Sequence, residues 1–272
     1  MSTFETGRRL CLLFEAGACR FAIEATAVME VASPDADGRT LRGSLELKPL
    51  TALLSGALEP EDGPGMAVVL DVSPTLALRV RRVHEVADVA RDRFFGIPPA
   101  LGEALAFVSR GAILHDHKLF LELKPEAIPH QPLKRLPPRM RPVFLVDRPP
   151  DRALIFESQG VLWGVPLTMV QQVVAATQAF LPLPVPSGPV AGLFPHDQLL
   201  WPIFSAPALI GGVPAREEFF VLAELAGEAA GLCASRVYGV FGNFQSTEGR
   251  GEFTAPGLER PILVLDWQRM FS

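Results

Sequence analysis

Leu12-Leu13-Phe14-Glu15 and, much later in the chain, Leu154-Ile155-Phe156-Glu157 open two segments that run in step. The first continues as Cys19-Arg20-Phe21-Ala22-Ile23 and Thr26-Ala27-Val28-Met29-Glu30-Val31. The second continues as Val161-Leu162-Trp163-Gly164-Val165 and Thr168-Met169-Val170-Gln171-Gln172-Val173. They align without a gap at an offset of 142 residues, and Phe21 falls on Trp163. A repeat of this kind sets the architecture, because each copy folds on the same plan.

The later elements keep the same order. Val68-Val69-Leu70 and the run Leu78 to Val86 occupy the middle of the first half, as Phe220-Val221-Leu222 and Leu232 to Val240 do in the second. Each half closes on an apolar strand, Lys118 to Leu123 and Ile262 to Trp267. These runs are short, β-branched or aromatic, and punctuated by Gly and Pro, which predicts small barrels or sandwiches rather than helices. Asp62-Gly63, Pro64-Gly65 and Gly211-Gly212 are expected turns. Short helices are expected at Leu50 to Leu54, Ala206 to Ile210 and Asp266 to Phe271. Between the halves, Pro129, Pro132, Pro137, Pro138, Pro142, Pro149 and Pro150 predict an extended connector, with Phe144-Leu145-Val146 able to add an edge strand. The expected division is 1–128, a linker over 129–150, and 151–272.

Hydrophobic residues make up 49% of the chain and charged ones 20%, a globular composition. A net charge of −5 gives no electrostatic reason to expect nucleic acid or an anionic membrane as a ligand. Lys134, Arg135, Arg139 and Arg141 gather in the connector, where a solvated linker is the plainer reading. No stretch approaches the roughly 20 apolar residues that span a bilayer. Cys11, Cys19 and Cys233 lack metal-type spacing, and the polar start, Met1 to Arg9, leads into an apolar run too short for a signal h-region. The expectation is a reduced, cytoplasmic protein.

The order of elements resembles the CheW-like family, the coupling proteins of bacterial chemosensory arrays. That pattern has an apolar strand, an aromatic-Ala-Ile strand and a Val-x-x-Val stretch. A Pro-bearing connector, a glycine-led strand ending in Arg-Gly and a Pro-Val-Ile-Asp-Leu strand come next. In the second half, Leu183-Pro184 and Pro186 stand for the connector. Gly192-Leu193-Phe194 matches the glycine-led strand, and Trp201-Pro202-Ile203-Phe204 the proline strand. Asp197 and Gln198 fall where the family carries Arg-Gly. The first half keeps Leu41-Arg42-Gly43 but has a shortened connector from Ala32 to Thr40, and reads Glu46-Leu47-Lys48-Pro49-Leu50 in place of the proline strand.

The resemblance implies a mostly β fold of two tandem CheW-like modules, each a pair of small SH3-like five-stranded β-barrels with few short helices. It implies a non-catalytic adaptor whose partners are a CheA-type histidine kinase, chemoreceptors, or another signalling or motility protein, with recruitment to receptor arrays or a cell pole. The matching segments make Leu41, Arg42, Gly43, Gly192, Leu193, Phe194, His196 and Asp197 the expected partner-binding residues. Leu193 and Phe194 are adjacent in an extended strand, so they face opposite sides. If one fills the core, the other meets another element or offers itself to a partner.

No catalytic constellation is expected, and no cofactor. His115-Asp116-His117 offers two imidazoles, but a metal site needs three or four convergent ligands and no third stands nearby in sequence. His196-Asp197 has no activated nucleophile beside it. No phosphate loop or dinucleotide fingerprint occurs. Trp163, Trp201 and Trp267 are candidate interface anchors, although Trp163 lies on an apolar strand and is expected in the core. A scaffold that localises a motility or polarity protein without kinase coupling is the second reading. A small-ligand sensor with a pocket between modules represents a different class.

Overall fold

The structure, a computed structural model, describes residues 8–55, 63, 65–98, 101–130, 145–187, 189–212, 217–225, 227–247, 251–267 and 269. The first half opens with β1 (Arg8–Ala16), β2 (Cys19–Glu24), β3 (Val28–Ala32), β4 (Thr40–Leu41) and β5 (Leu45–Pro49). Then come α1 (Leu50–Ser55), β6 (Met66–Leu70), β7 (Leu76–Val80), β8 (Arg82–Ala90) and β9 (Phe94–Phe95). It closes with α2 (Gly102–Val108), β10 (Ser109–His115) and β11 (Lys118–Leu123).

The second half runs β12 (Arg152–Ser158), β13 (Val161–Pro166), β14 (Val170–Ala175), β15 (Leu181–Ser187), β16 (Val190–His196) and β17 (Leu199–Phe204). Then follow α3 (Ala206–Leu209), β18 (Phe219–Leu225), β19 (Glu228–Ala234) and β20 (Arg236–Gly242). The last strands are β21 (Gln245–Ser246), β22 (Glu252–Thr254) and β23 (Ile262–Val264).

The fold is mostly β. Its sheets are ordered β8-β1-β2-β11-β10-β9, β3-β6-β7-β5-β4, β14-β18-β19-β17-β16-β15 and β20-β12-β13-β23-β22-β21. In each half the chain starts one sheet, leaves to build a second, and returns to finish the first. Three sheets have six strands rather than five, and in two of these the sixth is a two-residue edge, β9 or β21. The five-stranded sheet lies in the first half, where nothing among the described residues takes the place of β15. That is the local consequence of the shortened connector: 32–40 is too short to lay down another strand.

The repeat holds at the level of register. Phe14 pairs with Phe21, and Phe156 with Trp163. The ladder of β1 with β8 slips between Leu13 and Phe14, and that of β12 with β20 between Ile155 and Phe156. A second irregularity lies between Val28 and Glu30, and again between Val170 and Gln172. All these positions correspond at the same offset of 142. β2 runs parallel to β11 through Phe21 and Leu121, as β13 does to β23 through Trp163 and Leu263. Bulges bend a strand and sharpen its twist, so both halves curl at matching places.

The run from Leu78 to Val86 is two strands in different sheets. Arg81 alone makes the passage from β7 to β8, its N–H donating to the Glu15 carbonyl at 2.8 Å. Ser235 does the same between β19 and β20, onto the Glu157 carbonyl at 2.8 Å. The sequence reads as one apolar run because a sheet change needs only one residue here. α2 has no counterpart among the helices expected from sequence. The closing run expected from Ile262 to Trp267 is strand only to Val264, with Leu265 forming an isolated bridge to Leu145.

β1 is buried on both faces. Cys11 and Leu13 join one core with Ala22, Ala87, Val89, Ile113 and Phe120, while Leu12 and Phe14 fill the opposite side. A half-buried ion pair lies in this half: Arg9 Nη1 and Nη2 donate to Glu122 Oε1 at 2.9 Å and Oε2 at 3.3 Å. The Arg9 guanidinium also covers the Phe94 ring at 4.0 Å.

By contacts the chain forms two compact units. One comprises Met1–Pro137, Gln178–Pro186 and Phe194–Leu200; the other comprises Pro138–Thr177, Ser187–Leu193 and Trp201–Ser272. Within the first, Arg20 donates to the carbonyls of Gln178 at 2.6 Å and Phe180 at 2.5 Å, and Cys19 Sγ to that of Pro182 at 3.4 Å. β15 reads Leu-Pro-Leu-Pro-Val-Pro-Ser and lies at the end of its sheet, where proline is tolerated. The basic cluster Lys134, Arg135, Arg139 and Arg141, most of the expected connector and half of the expected C-terminal helix lie outside the described residues.

Candidate partner-binding surface

Arg42 and Gly43 sit at the tip of the hairpin that joins β4 to β5, with Leu41 paired to Leu45 at its base. Both have left-handed backbones, φ 53 and φ 71. Leu41 is buried and anchors the hairpin, while Arg42 and Gly43 are exposed. The Asp35 carboxylate holds the tip in shape. It accepts the N–H of Arg42 at 3.1 Å, the N–H of Gly43 at 2.8 Å and the Thr40 hydroxyl at 2.8 Å. Asp37 accepts the N–H groups of Arg39 at 2.9 Å and Thr40 at 3.1 Å. Both carboxyls lie below their ordinary pKa range, Asp35 chiefly through the Gly43 N–H and Asp37 chiefly through that of Arg39. Arg42 Nη2 reaches Glu30 Oε1 at 2.6 Å, so the guanidinium lies toward β3.

The second half has the corresponding hairpin between β16 and β17. Asp197 and Gln198, the residues that stand for Arg-Gly, form its two-residue loop with φ 47 and φ 61. Two successive positive φ values are the signature of a type I′ turn, whose twist matches the flanking strands. β5 runs parallel to β7, as β17 does to β19, so each tip leads into the corresponding strand of its sheet. His196 Nε2 stands 3.3 Å from Asp197 Oδ2.

Gly192, Leu193 and Phe194 are all buried, with Leu193 0% and Phe194 7% exposed. Neither member of the Leu-Phe pair faces solvent, because β16 is an inner strand covered on both faces. Its hairpin tip is what reaches the surface. Trp163, Trp201 and Trp267 are likewise buried and belong to the core.

Sequence reading missed a second set of residues. Val31 on β3 and Val173 on β14 correspond at the repeat offset, and both are exposed on strands at the end of their sheets. Val86 on β8 stands opposite Leu12, and Val240 on β20 opposite Leu154. These two valines are also exposed, again on end strands. Val31 and Val173 were visible as identities between the repeats, but identity alone does not tell a packed valine from a displayed one.

A carboxylate closes the same corner in each half. Glu15 accepts from the Arg81 guanidinium and lies 3.1 Å from His84 Nε2. Glu157 accepts from Tyr238 Oη and Arg260 Nη2, both at 2.7 Å. The guanidinium partners hold both carboxyls below their usual pKa range, outweighing the burial that opposes this at Glu15. Burial pushes Cys11 up to about 11 and Cys233 up to about 12, which makes them inert thiols. No helix among the described residues is long and apolar enough to cross a membrane.

No family model matches the chain, and no curated protein matches it. Among solved structures, the scaffolding protein TtCheW from Thermoanaerobacter tengcongensis is similar at 16% identity and a TM-score of 0.35. That likeness covers 43% of this chain and 89% of the other, and it is too loose to bear on function.

Proposed function

We propose that this chain is a non-catalytic scaffold with two CheW-like modules, holding protein partners together in a bacterial chemosensory or motility system. The observation that carries the reading is duplicated display: each half exposes a valine on the end strand of one sheet and another on the end strand of its second sheet. Single exposed apolar residues are ordinary, but recurrence at matching positions of a repeat is not what scatter produces. Sheet ends of this kind recognise partners by strand pairing and apolar contact, without polar chemistry. Two such modules on one chain raise the effective concentration at the second contact once the first is made.

In its kinase-coupling form, the scaffold joins a CheA-type histidine kinase to chemoreceptors from the cytoplasm, with the tips at Arg42-Gly43 and His196-Asp197 contacting partners. The second form localises a motility or polarity protein without kinase coupling. The Asp197-Gln198 loop in place of Arg-Gly favours it, since it exchanges a cation for an anion at the hairpin tip. Affinity capture from the native cell with protein identification tests both. Recovery of a CheA-type kinase supports coupling, and recovery of a motility protein without the kinase supports localisation. Recovery of neither, with Arg42→Glu and Asp197→Lys chains capturing the same proteins as the parent, overturns the assignment of the tips.

A further inference from the structure

The turn His115-Asp116-His117, which lacked a third ligand in the sequence, has one in the fold. β10 and β11 pair through His115 and Lys118, leaving Asp116 and His117 as a two-residue turn with φ 45 and φ 60. β8 lies at the far end of that sheet from the β10–β11 hairpin, separated by β1 and β2. The sheet curls until Glu85 of β8 meets the hairpin, with Glu85 Oε1 3.1 Å from His115 Nε2. Asp116 Oδ2 stands 3.7 Å from the same nitrogen, and the three donor atoms all lie within 4.8 Å of one another.

The geometry points to a divalent transition-metal site formed by Glu85, His115 and Asp116. Donors held at about 2.1 Å from one ion in tetrahedral array stand about 3.4 Å apart, close to the two shortest separations here. One imidazole and two carboxylates suit Zn²⁺, with water completing the coordination. An imidazole nitrogen among the donors disfavours Ca²⁺, which takes oxygen ligands. All three residues retain solvent access, Asp116 most of all, so an ion enters without opening the core. An ion there ties the β10–β11 hairpin to β8 and clamps the curled sheet end to end. This inference is independent of the scaffold reading.

The experiment is a Zn²⁺ titration of the chelator-stripped full chain by calorimetry, with Co²⁺ absorption reporting the coordination. The expected result is one equivalent bound, with His115→Gln and Glu85→Gln each weakening affinity about tenfold or more, since even the outer partners of metal ligands are worth that much. Asp116→Asn weakens it in the same direction, whereas His117→Gln leaves it unchanged. Circular dichroism checks the fold of each variant, and Asp116→Asn, at the most exposed of the three positions, carries the test if another variant fails to fold. Absence of saturable binding in the parent chain overturns the site and leaves an ordinary Glu85–His115 hydrogen bond. Equal affinity in the parent and in all three ligand variants overturns it as well, placing the ion elsewhere.

Discussion

Phe14 stands directly opposite Phe21 across β1 and β2, with ring centroids 5.8 Å apart and planes 26° apart. Phe156 and Trp163 are likewise paired across β12 and β13 in the second half, and all four side chains are buried. These pairs are the two hearts of the repeat. Truncation leaves a void that close-packed neighbours fill only in part. Phe14→Ala and Phe156→Ala are each expected to cost about 3–5 kcal/mol, read from denaturant unfolding. A loss under about 1 kcal/mol would show that the rings are not core.

The Arg9–Glu122 pair predicts an asymmetry. The Glu122 side chain is 3% exposed and that of Arg9 40%. Removing Arg9 strands a buried carboxylate, while removing Glu122 leaves a guanidinium that can turn to water. Arg9→Ala is expected to cost about 3 kcal/mol and Glu122→Gln distinctly less. Burial raises the Glu122 carboxyl above its usual range even with Arg9 present. Its contribution to stability is therefore full below the unfolded-state pKa and declines as pH rises through the folded one. The Arg9→Ala deficit should shrink on acidification, as Glu122 takes up its proton. Equal deficits at acid and neutral pH would contradict this.

Asp35 predicts the opposite sign. Its carboxyl is depressed by the N–H of Gly43, then by the Thr40 hydroxyl and the N–H of Arg42. The order it confers on the tip is present above the unfolded carboxyl pKa and is lost as pH falls through the depressed value. Amide resonances of Arg42 and Gly43 should shift together in an acid titration, and Asp35→Asn should loosen the loop at neutral pH. Invariant resonances through the titration would mean that Asp35 does not hold the tip.

The binding surface is best probed at the tips and not at the strand behind them. Arg42→Glu and Asp197→Lys change exposed groups and should leave the fold intact, at a cost of about 1 kcal/mol from the lost Arg42–Glu30 pair and from the left-handed backbone at 197. They should also weaken capture of partners. Phe194→Glu places a charge at a buried position and should unfold the protein instead. Normal thermal stability in Phe194→Glu would return β16 to the list of candidate contact strands.

The repeat was legible because its marks are local: Phe14 and Phe156, Phe21 and Trp163, and the valines of the Val-x-x-Val stretch. The lost strand of the first half was legible too, as a connector too short to hold it. What escaped depends on how sheets close on themselves. Glu85 and His115 are far apart in sequence and at opposite reaches of a sheet order, so only curvature brings them together. The passage through Arg81 escaped because one residue suffices to change sheets, and apolar character continues across it. Leu193 and Phe194 show the limit of alternation: a period of two says that neighbours face opposite sides, and not that either side is wet.

The three prolines of β15 fall at alternate positions, so the groups they lack all point toward one flank of the strand. Along that flank carbonyls remain and amide hydrogens do not, leaving a row of acceptors without donors. Cys19 Sγ takes one of those carbonyls, at Pro182, and Arg20 takes the one two residues before it, at Phe180, so side chains stand where a neighbouring strand would bring backbone donors. A strand whose rim is written in proline is thus closed to ladder pairing by its own covalent structure, whatever side chains lie beside it.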